Sequence, residues 1–299
     1  MKPPFAIAAA VLLASATASA QSPRDDVRCL AAGTFEQGHA GSSRPDEGPV
    51  HHVSVGAFCL DATLVTRGAF GRFVTATGHV TEAERTRYGT VSYEGFEDWA
   101  WQREPHASWR RPFGVENDDT RTFLRDDAPV VLVSFDDAVA YCAWSHGRLP
   151  TEAEWEYAMR AGSAGTRFPW GASPMDAQGR PRLNFWQGAS HAHNDRADGW
   201  VYVSPVRAFA PNAWGFYDAV GNVWQWTSDA YRRDAYAAAA RGIDAGASAG
   251  AVYRVVRGGS WWCGHGTCDG FGLWYRGHNL PRSSFTNLGF RCAYDAAPR

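Results

Sequence analysis

The chain lacks a second long hydrophobic run. After the first twenty residues, no stretch approaches the roughly eighteen uninterrupted apolar residues of a membrane-spanning helix. A membrane partner is therefore not expected. Charge of one sign is also missing. The 29 Lys and Arg stand against 31 Asp and Glu, for a net charge of -2, with no basic block. Nucleic acid is not expected as a partner either. There is no His-Glu-x-x-His, which removes one common zinc-protease pattern. Ser260 follows two glycines, but the sequence marks no partner His for it. His265 lies between Cys263 and Cys268, yet no second Cys-x-x-Cys or His pair completes four zinc ligands. No internal repeat is visible.

What is present is equally informative. Residues 1–20 carry Lys2, an apolar run from Phe5 to about Thr17, and a small-residue Ala18-Ser19-Ala20 end. This reads as a cleaved secretory signal, so the protein is expected to be exported, periplasmic or secreted. Residues 21–27 read as a leader, and 28–295 as one domain. Fourteen tryptophans and 31 glycines suggest irregular backbone pinned by large aromatic side chains. Six cysteines in an exported chain should mostly be oxidised. The even count allows three disulfides, or two and one working pair.

Alternation in HHVSVGAFCLD (51–61) predicts a strand. Thr66 is placed to cap a helix that Gly78 stops. Residues 84–128 read as long ordered loops, and Val130 to Val133 as a short buried strand. Ser134 should cap a helix whose inner face is Phe135, Ala138, Val139 and Cys142. Pro150-Thr151-Glu152-Ala153-Glu154 is a capping box opening a helix to about Arg160. Little regular structure is expected from Phe168 to Asp229, and the alanine-rich 231–251 reads as a surface insertion. The fold class is α+β, with low regular secondary structure.

Two groups of residues could carry chemistry. Cys263 and Cys268 are separated by four residues and follow Gly258-Gly259-Ser260. They could form a small-loop disulfide. Reduced, they could hold Cu(I), a soft ion that selects thiolates and tolerates low coordination. Spacing leaves both readings open. The second group is rich in oxygen: Asn184, Asp195 and Asp198, then Asp218, Asn222, Gln225 and Asp229. Such loops can be ordered by Ca2+, which takes six to eight oxygens. They can equally be turns whose Asx side chains bond their own backbone.

Four stretches together resemble the formylglycine-generating enzyme family, the sulfatase-modifying factors. They are Gly-Arg-Leu-Pro-Thr-Glu-Ala-Glu-Trp-Glu-Tyr-Ala (147–158), Gly-Asn-Val-Trp-Gln-Trp-Thr-Ser-Asp (221–229), Val-Arg-Gly-Gly-Ser-Trp (256–261) and Asn-Leu-Gly-Phe-Arg-Cys (287–292). The likeness runs from about 28 to 295. It implies a single C-type-lectin-like domain with a copper site on Cys263 and Cys268. It implies O2-dependent oxidation of a cysteine in an unfolded Cys-x-Pro-x-Arg segment of a sulfatase to Cα-formylglycine, with a thiol reductant. Ser260, Trp224 and Asn287 match positions lining the oxygen and substrate pocket. Arg276, Asn279 and Ser284 match positions in the substrate groove. One implied Ca2+ site uses Asn184, Phe185, Asp198 and Trp200. A second uses Asp218, Gly221, Val223 and Gln225. Chelation is then expected to lower the melting temperature.

The resemblance also pairs Cys142 with Cys292 and places two N-terminal strands close enough to pair Cys29 with Cys59. Cys263 and Cys268 remain as the working thiols, expected to reduce under mild conditions. A further structural pair of the family is replaced by Met159 and Leu273. Departures are equally specific. Gln225 stands where a Glu is usual, Gly264 where a His follows the first Cys, and Thr267 where a Tyr precedes the second. Asp269-Gly270-Phe271-Gly272 replaces a basic-aromatic run. The alternatives kept open are an exported oxidase of another peptide, thiol or siderophore-like substrate, and a non-catalytic lectin-like binding module.

Overall fold

Capping side chains start three helices where the sequence expects them, at Thr66, Ser134 and Thr151. The computed structural model describes residues 26–97, 100–114, 119–243, 252–264 and 271–296. The expected signal and Cys268 lie outside these residues. Thr66 accepts a hydrogen bond from the Ala69 amide and opens α1, Arg67–Thr77. Gly78 closes that helix at φ +68°. Thr81 opens α2, Glu82–Thr86. Ser134 opens α3, Phe135–Trp144, and Thr151 opens α4, Glu152–Arg160. These three starts are capping boxes, in which cap and third residue satisfy each other's amides. A fifth helix, α5, spans Ala235–Ala239 and has no side-chain cap. Among the described residues no helix is long and apolar enough to cross a membrane.

Short strands tie the chain ends together. In chain order they are β1 Val27–Leu30, β2 Gly33–Gln37, β3 His51–Val55, β4 Phe58–Asp61, β5 Tyr88–Val91, β6 Gln102–Pro105, β7 Trp224–Ala230, β8 Arg254–Arg257, β9 Arg276–Asn279, β10 Leu288–Gly289 and β11 Ala293–Asp295. One sheet runs β1-β4-β11, so the first and last strands share β4. A second runs β10-β7-β8-β9, and two hairpin-like pairs, β2-β3 and β5-β6, complete the set. Cys29 lies directly opposite Cys59 in the β1–β4 ladder, and the two are bonded. Cys142 on α3 is bonded to Cys292, 150 residues later. Constraining a loop of that length contributes about 5 kcal/mol in the chain-entropy account.

Aromatics fill the space between these elements. Trp155, Trp186, Trp226, Trp261 and Trp262 are all fully buried. Each removes 150–250 Å² from water, roughly 4–6 kcal/mol before the entropy of ordering is subtracted. Met159 and Leu273 share one apolar cluster with α4, as their replacement of a cysteine pair suggests.

Several expectations are corrected. The 51–61 strand is two strands in different sheets, broken at Gly56-Ala57. Regular structure begins at Val27, inside the expected leader. Val130 to Val133 is buried but not a strand, because Leu132 sits at φ +58°, which a ladder cannot accommodate. On α3, Val139 is 41% exposed, and Tyr141 occupies the inner face beside Ala138 and Cys142. Residues 84–128 contain the end of α2 and all of β5 and β6 as well as coil. The alanine-rich 231–251 is not wholly superficial: Tyr236 on α5 is buried against Glu152 and Glu156.

Candidate active site

Two glycines after β8 shape the site. Gly258 and Gly259 sit at φ +97° and +75°, where a side chain would be strained. The turn carries Ser260, Trp261, Trp262 and Cys263 into the core, all of them buried. Trp262 lies flat against His191, with ring centroids 3.7 Å apart. Trp261 Nε1 donates to the Thr286 carbonyl at 3.2 Å. The Cys263 amide donates to the Ser260 carbonyl, and its own carbonyl accepts from the Trp186 amide at 2.8 Å. Gly264 follows so close to Trp186 that a Cβ there would lie 2.0 Å from the Trp186 carbonyl oxygen. The Gly264 departure noted above is thus required by this backbone path.

A neutral relay leads to the Cys263 sulfur. Asn287 Nδ2 donates to Ser260 Oγ at 3.0 Å, and the Trp262 amide donates to it at 3.3 Å. Both lone pairs of the hydroxyl are then used. Its own proton is left for Cys263 Sγ, 3.7 Å away. Cys263 is disulfide-bonded in this structure, and Cys268 lies outside the described residues.

In front of Asn287 is a cleft of about 480 Å³. Trp224, Asn279 and Asn287 line it, as expected, together with Trp101, Trp262, Tyr275, His278, Phe285 and Arg44. The walls are mostly aromatic: Trp101 meets Phe285 edge-on at 5.1 Å, and Trp224 packs on Tyr275 at 5.6 Å. Trp101 comes from the coil between β5 and β6, where the sequence offered aromatic density but no motif. For Arg44 the sequence offered no signal. Its guanidinium is held by Glu47 at 3.0 Å and stacks on Tyr275 at 4.5 Å. Ser284 is buried beside Phe285 and is not among the described lining residues.

Arg276 borders the cleft but does not offer it a free charge. It donates to both Glu152 oxygens, at 2.7 and 2.9 Å, and to the carbonyls of Asp46 and Arg232. Four of its five N–H groups are therefore taken. Glu152 also pairs with Arg257, and Glu156 pairs with Arg257 and Arg160. Burial pushes the Glu152 carboxyl up, but Arg276 and Arg257 outweigh it and hold it at about 2. Arg276 lines the cleft, as expected, and its charge there is shared with Glu152.

The two oxygen-rich loops differ. Asp198 accepts from the Phe185 and Trp200 amides, at 3.2 and 2.9 Å. No cationic side chain among the described residues pairs with it. Burial pushes its carboxyl up to about 6. Gln187 Nε2 donates to the Phe185 carbonyl, which leaves that oxygen one lone pair, and the unpaired Asp198 carboxylate supplies the charge that a hard cation needs. In the second loop, Asp218 Oδ1 accepts from Asn222 Nδ2 and Oδ2 from the Arg207 amide. Gln225 is fully buried, and its amide donates to the Asp218 carbonyl at 3.1 Å. An N–H cannot ligate a cation, so this donor set does not fit Ca2+. Among the described residues no three His, Cys, Asp or Glu side chains converge as a metal cluster.

Comparison with known proteins places this site in context. Residues 14–296 match the family described as "Sulfatase-modifying factor enzyme 1-like domain". The chain is 42% identical to the formylglycine-generating enzyme of Streptomyces coelicolor over 92% of this chain and 91% of that protein. It is 38% identical to a mouse protein named inactive C-alpha-formylglycine-generating enzyme 2, over 89% of this chain and 85% of that one. Among solved structures, PvdO from Pseudomonas aeruginosa superposes with a TM-score of 0.67 at 26% identity. That match covers 90% of this chain and 94% of PvdO.

Proposed function

Because the chain belongs to the sulfatase-modifying factor enzyme family, we propose that it oxidises a peptide cysteine to Cα-formylglycine after export. The substrate class is an extended Cys-x-Pro-x-Arg segment of an unfolded sulfatase or similar peptide, with O2 as acceptor and a thiol as reductant. The observation that carries this reading is the Asn287–Ser260–Cys263 relay at the back of an aromatic cleft. Its volume lies within the usual range of binding pockets. With Arg44 and Arg276 already paired, the cleft offers aromatic faces rather than net charge.

The stoichiometry fixes what must be supplied. Two electrons leave the substrate as its CH2–SH becomes CH=S, and two come from the thiol reductant. Both oxygen atoms of O2 then end as water. One water adds to the thioaldehyde and hydrogen sulfide leaves, giving the aldehyde. Cys263 and Cys268, once reduced, would hold Cu(I), a fit resting on the soft sulfur donors. When bound, copper supplies the one-electron chemistry that O2 needs. The chain's own residues do the rest. Ser260 directs its hydroxyl proton at Cys263 and favours the thiolate over the thiol. Asn287 fixes that hydroxyl from the cleft side. Trp224, Trp101 and Phe285 exclude water and offer flat faces to the substrate proline. Asn184 and Asp198, with the carbonyls of Phe185 and Trp200, would hold one Ca2+ that orders residues 184–200.

The test is a Cys-x-Pro-x-Arg peptide incubated with reduced, copper-loaded protein, air and a thiol, followed by mass spectrometry. Conversion of the thiol to an aldehyde that hydrazide captures is the expected result. No aldehyde from this peptide, with turnover of another thiol, would move the reading to a different substrate. No turnover and no copper uptake would favour the lectin-like binding module.

A further inference from the structure

In the second oxygen-rich loop, protein hydrogen bonds tie the Gln225 side chain to the Asp218 carbonyl. Gln225 is the centre. Its Oε1 accepts from Trp155 Nε1 at 2.9 Å and from Arg291 Nε at 2.7 Å. Two fixed donors leave the amide only one satisfied orientation. The NH2 group must then face the other way, and it donates to the Asp218 carbonyl. Arg291 Nη2 also donates to this carbonyl, at 3.0 Å. Its remaining N–H groups are satisfied by the carbonyls of Asp61, Ala62 and Tyr217. A divalent ion here would meet the Gln225 amide hydrogens instead of lone pairs, which opposes it.

We infer that Gln225 replaces a divalent cation in this chain: its amide cross-links the Asp218 carbonyl to β7, and residues 218–225 are held without metal. Calcium is then taken up at 184–200 alone. The chemistry is specific to the amide. A carboxylate at 225 could still accept from Trp155 and Arg291 with one oxygen. Its second oxygen would face the Asp218 carbonyl, and a proton or a cation between them would relieve that repulsion; calcium at millimolar concentration supplies the cation.

Elemental analysis and calcium titration of the whole protein test this. Wild type should hold one Ca2+ per chain, and Asp198→Asn should lose it. Gln225→Glu should hold one more Ca2+ than wild type, and its melting temperature should fall in chelator by more than wild type's does. Two ions in wild type would overturn the inference. So would an ion that survives Asp198→Asn, or a folded Gln225→Glu protein with no additional ion. If Gln225→Glu does not fold, the wild-type and Asp198→Asn counts decide.

Discussion

Two buried polar regions flank the end of β8, and they are built on opposite principles. On one side Arg257, Arg276 and Arg160 meet Glu152 and Glu156, with the Tyr236 hydroxyl between them. Every carboxylate has at least two cationic neighbours. On the other side, three residues further on, Ser260 joins Asn287 to Cys263 with no formal charge at all. Charges taken out of water are tolerated only when fully compensated. A compensated cluster cannot exchange a proton or a ligand without losing that compensation, so it can serve only as a frame. A neutral relay ending on sulfur has no such debt, and its hydroxyl can respond to a change in the sulfur's charge. Arg276 joins the two regions: it lines the cleft and is paired with Glu152 in the charged cluster.

The largest expected effect breaks the working side alone. Cys263→Ser should abolish aldehyde formation while leaving a folded protein, since Cys142–Cys292 and Cys29–Cys59 remain. Full O2-dependent turnover by this variant would remove Cys263 from the chemistry. The next effect breaks the frame. Glu152→Ala leaves Arg276 without its carboxylate and Arg257 with Glu156 alone, and should cost about 3–5 kcal/mol. For a domain this large, that is a melting temperature roughly 10 °C lower. Calorimetry reads it directly, and an unchanged midpoint would mean the cluster frames nothing.

Acid titration sharpens the contrast, because only the frame carries charges. Glu152 is held at about 2 against an ordinary 4.5. Its contribution, about 3 kcal/mol, is complete above pH 4.5 and lost as pH falls toward 2. Asp229, which accepts from the Glu152 amide at 2.6 Å, moves the other way. Burial, with Glu152 nearby, pushes it up to about 6 from 3.8. The folded state therefore binds a proton more readily than the unfolded one, and stability should rise as pH falls from 6 to 4. The expected profile gains between pH 6 and 4 and drops below it. Asp229→Asn should reduce the gain, and denaturant melts at each pH would show it. An identical profile in parent and variant would contradict this assignment of the rise.

How much of this was legible depends on distance along the chain. Caps act over three residues, so Thr66, Ser134 and Thr151 announced their helices correctly. Ser260, Trp224 and Asn287 were legible because short motifs carry them. Arg276 was legible as a cleft residue, but its pairing with Glu152, 124 residues away, left no mark in the sequence. Val139 was misassigned because an apolar residue one position off the buried stripe of a short helix looks the same in sequence. Gln225 was visible as a departure. Its consequence needed Trp155 and Arg291, 70 and 66 residues away, to pin one end of the amide.

The smallest and most discriminating change is at Ser260. Ser260→Ala removes one hydroxyl and leaves the Asn287 and Trp262 donors unsatisfied, costing about 1–3 kcal/mol of stability. A merely structural hydroxyl would do no more than that. If it also donates to the Cys263 sulfur, its loss removes a hydrogen bond to a charged group, worth about 1.5–3 kcal/mol. Turnover should then fall roughly 10- to 100-fold, and the Cys263 thiol pKa of reduced protein should rise, because the thiolate has lost a donor. Asn287→Ala keeps the hydroxyl but frees it to rotate, so its effect should share the sign and be smaller. Thiol titration and kinetics on the two variants separate the roles. Equal stability loss, with thiol pKa and kcat unchanged in both, would place Ser260 with the frame and leave Cys263 without a proton donor from the cleft side.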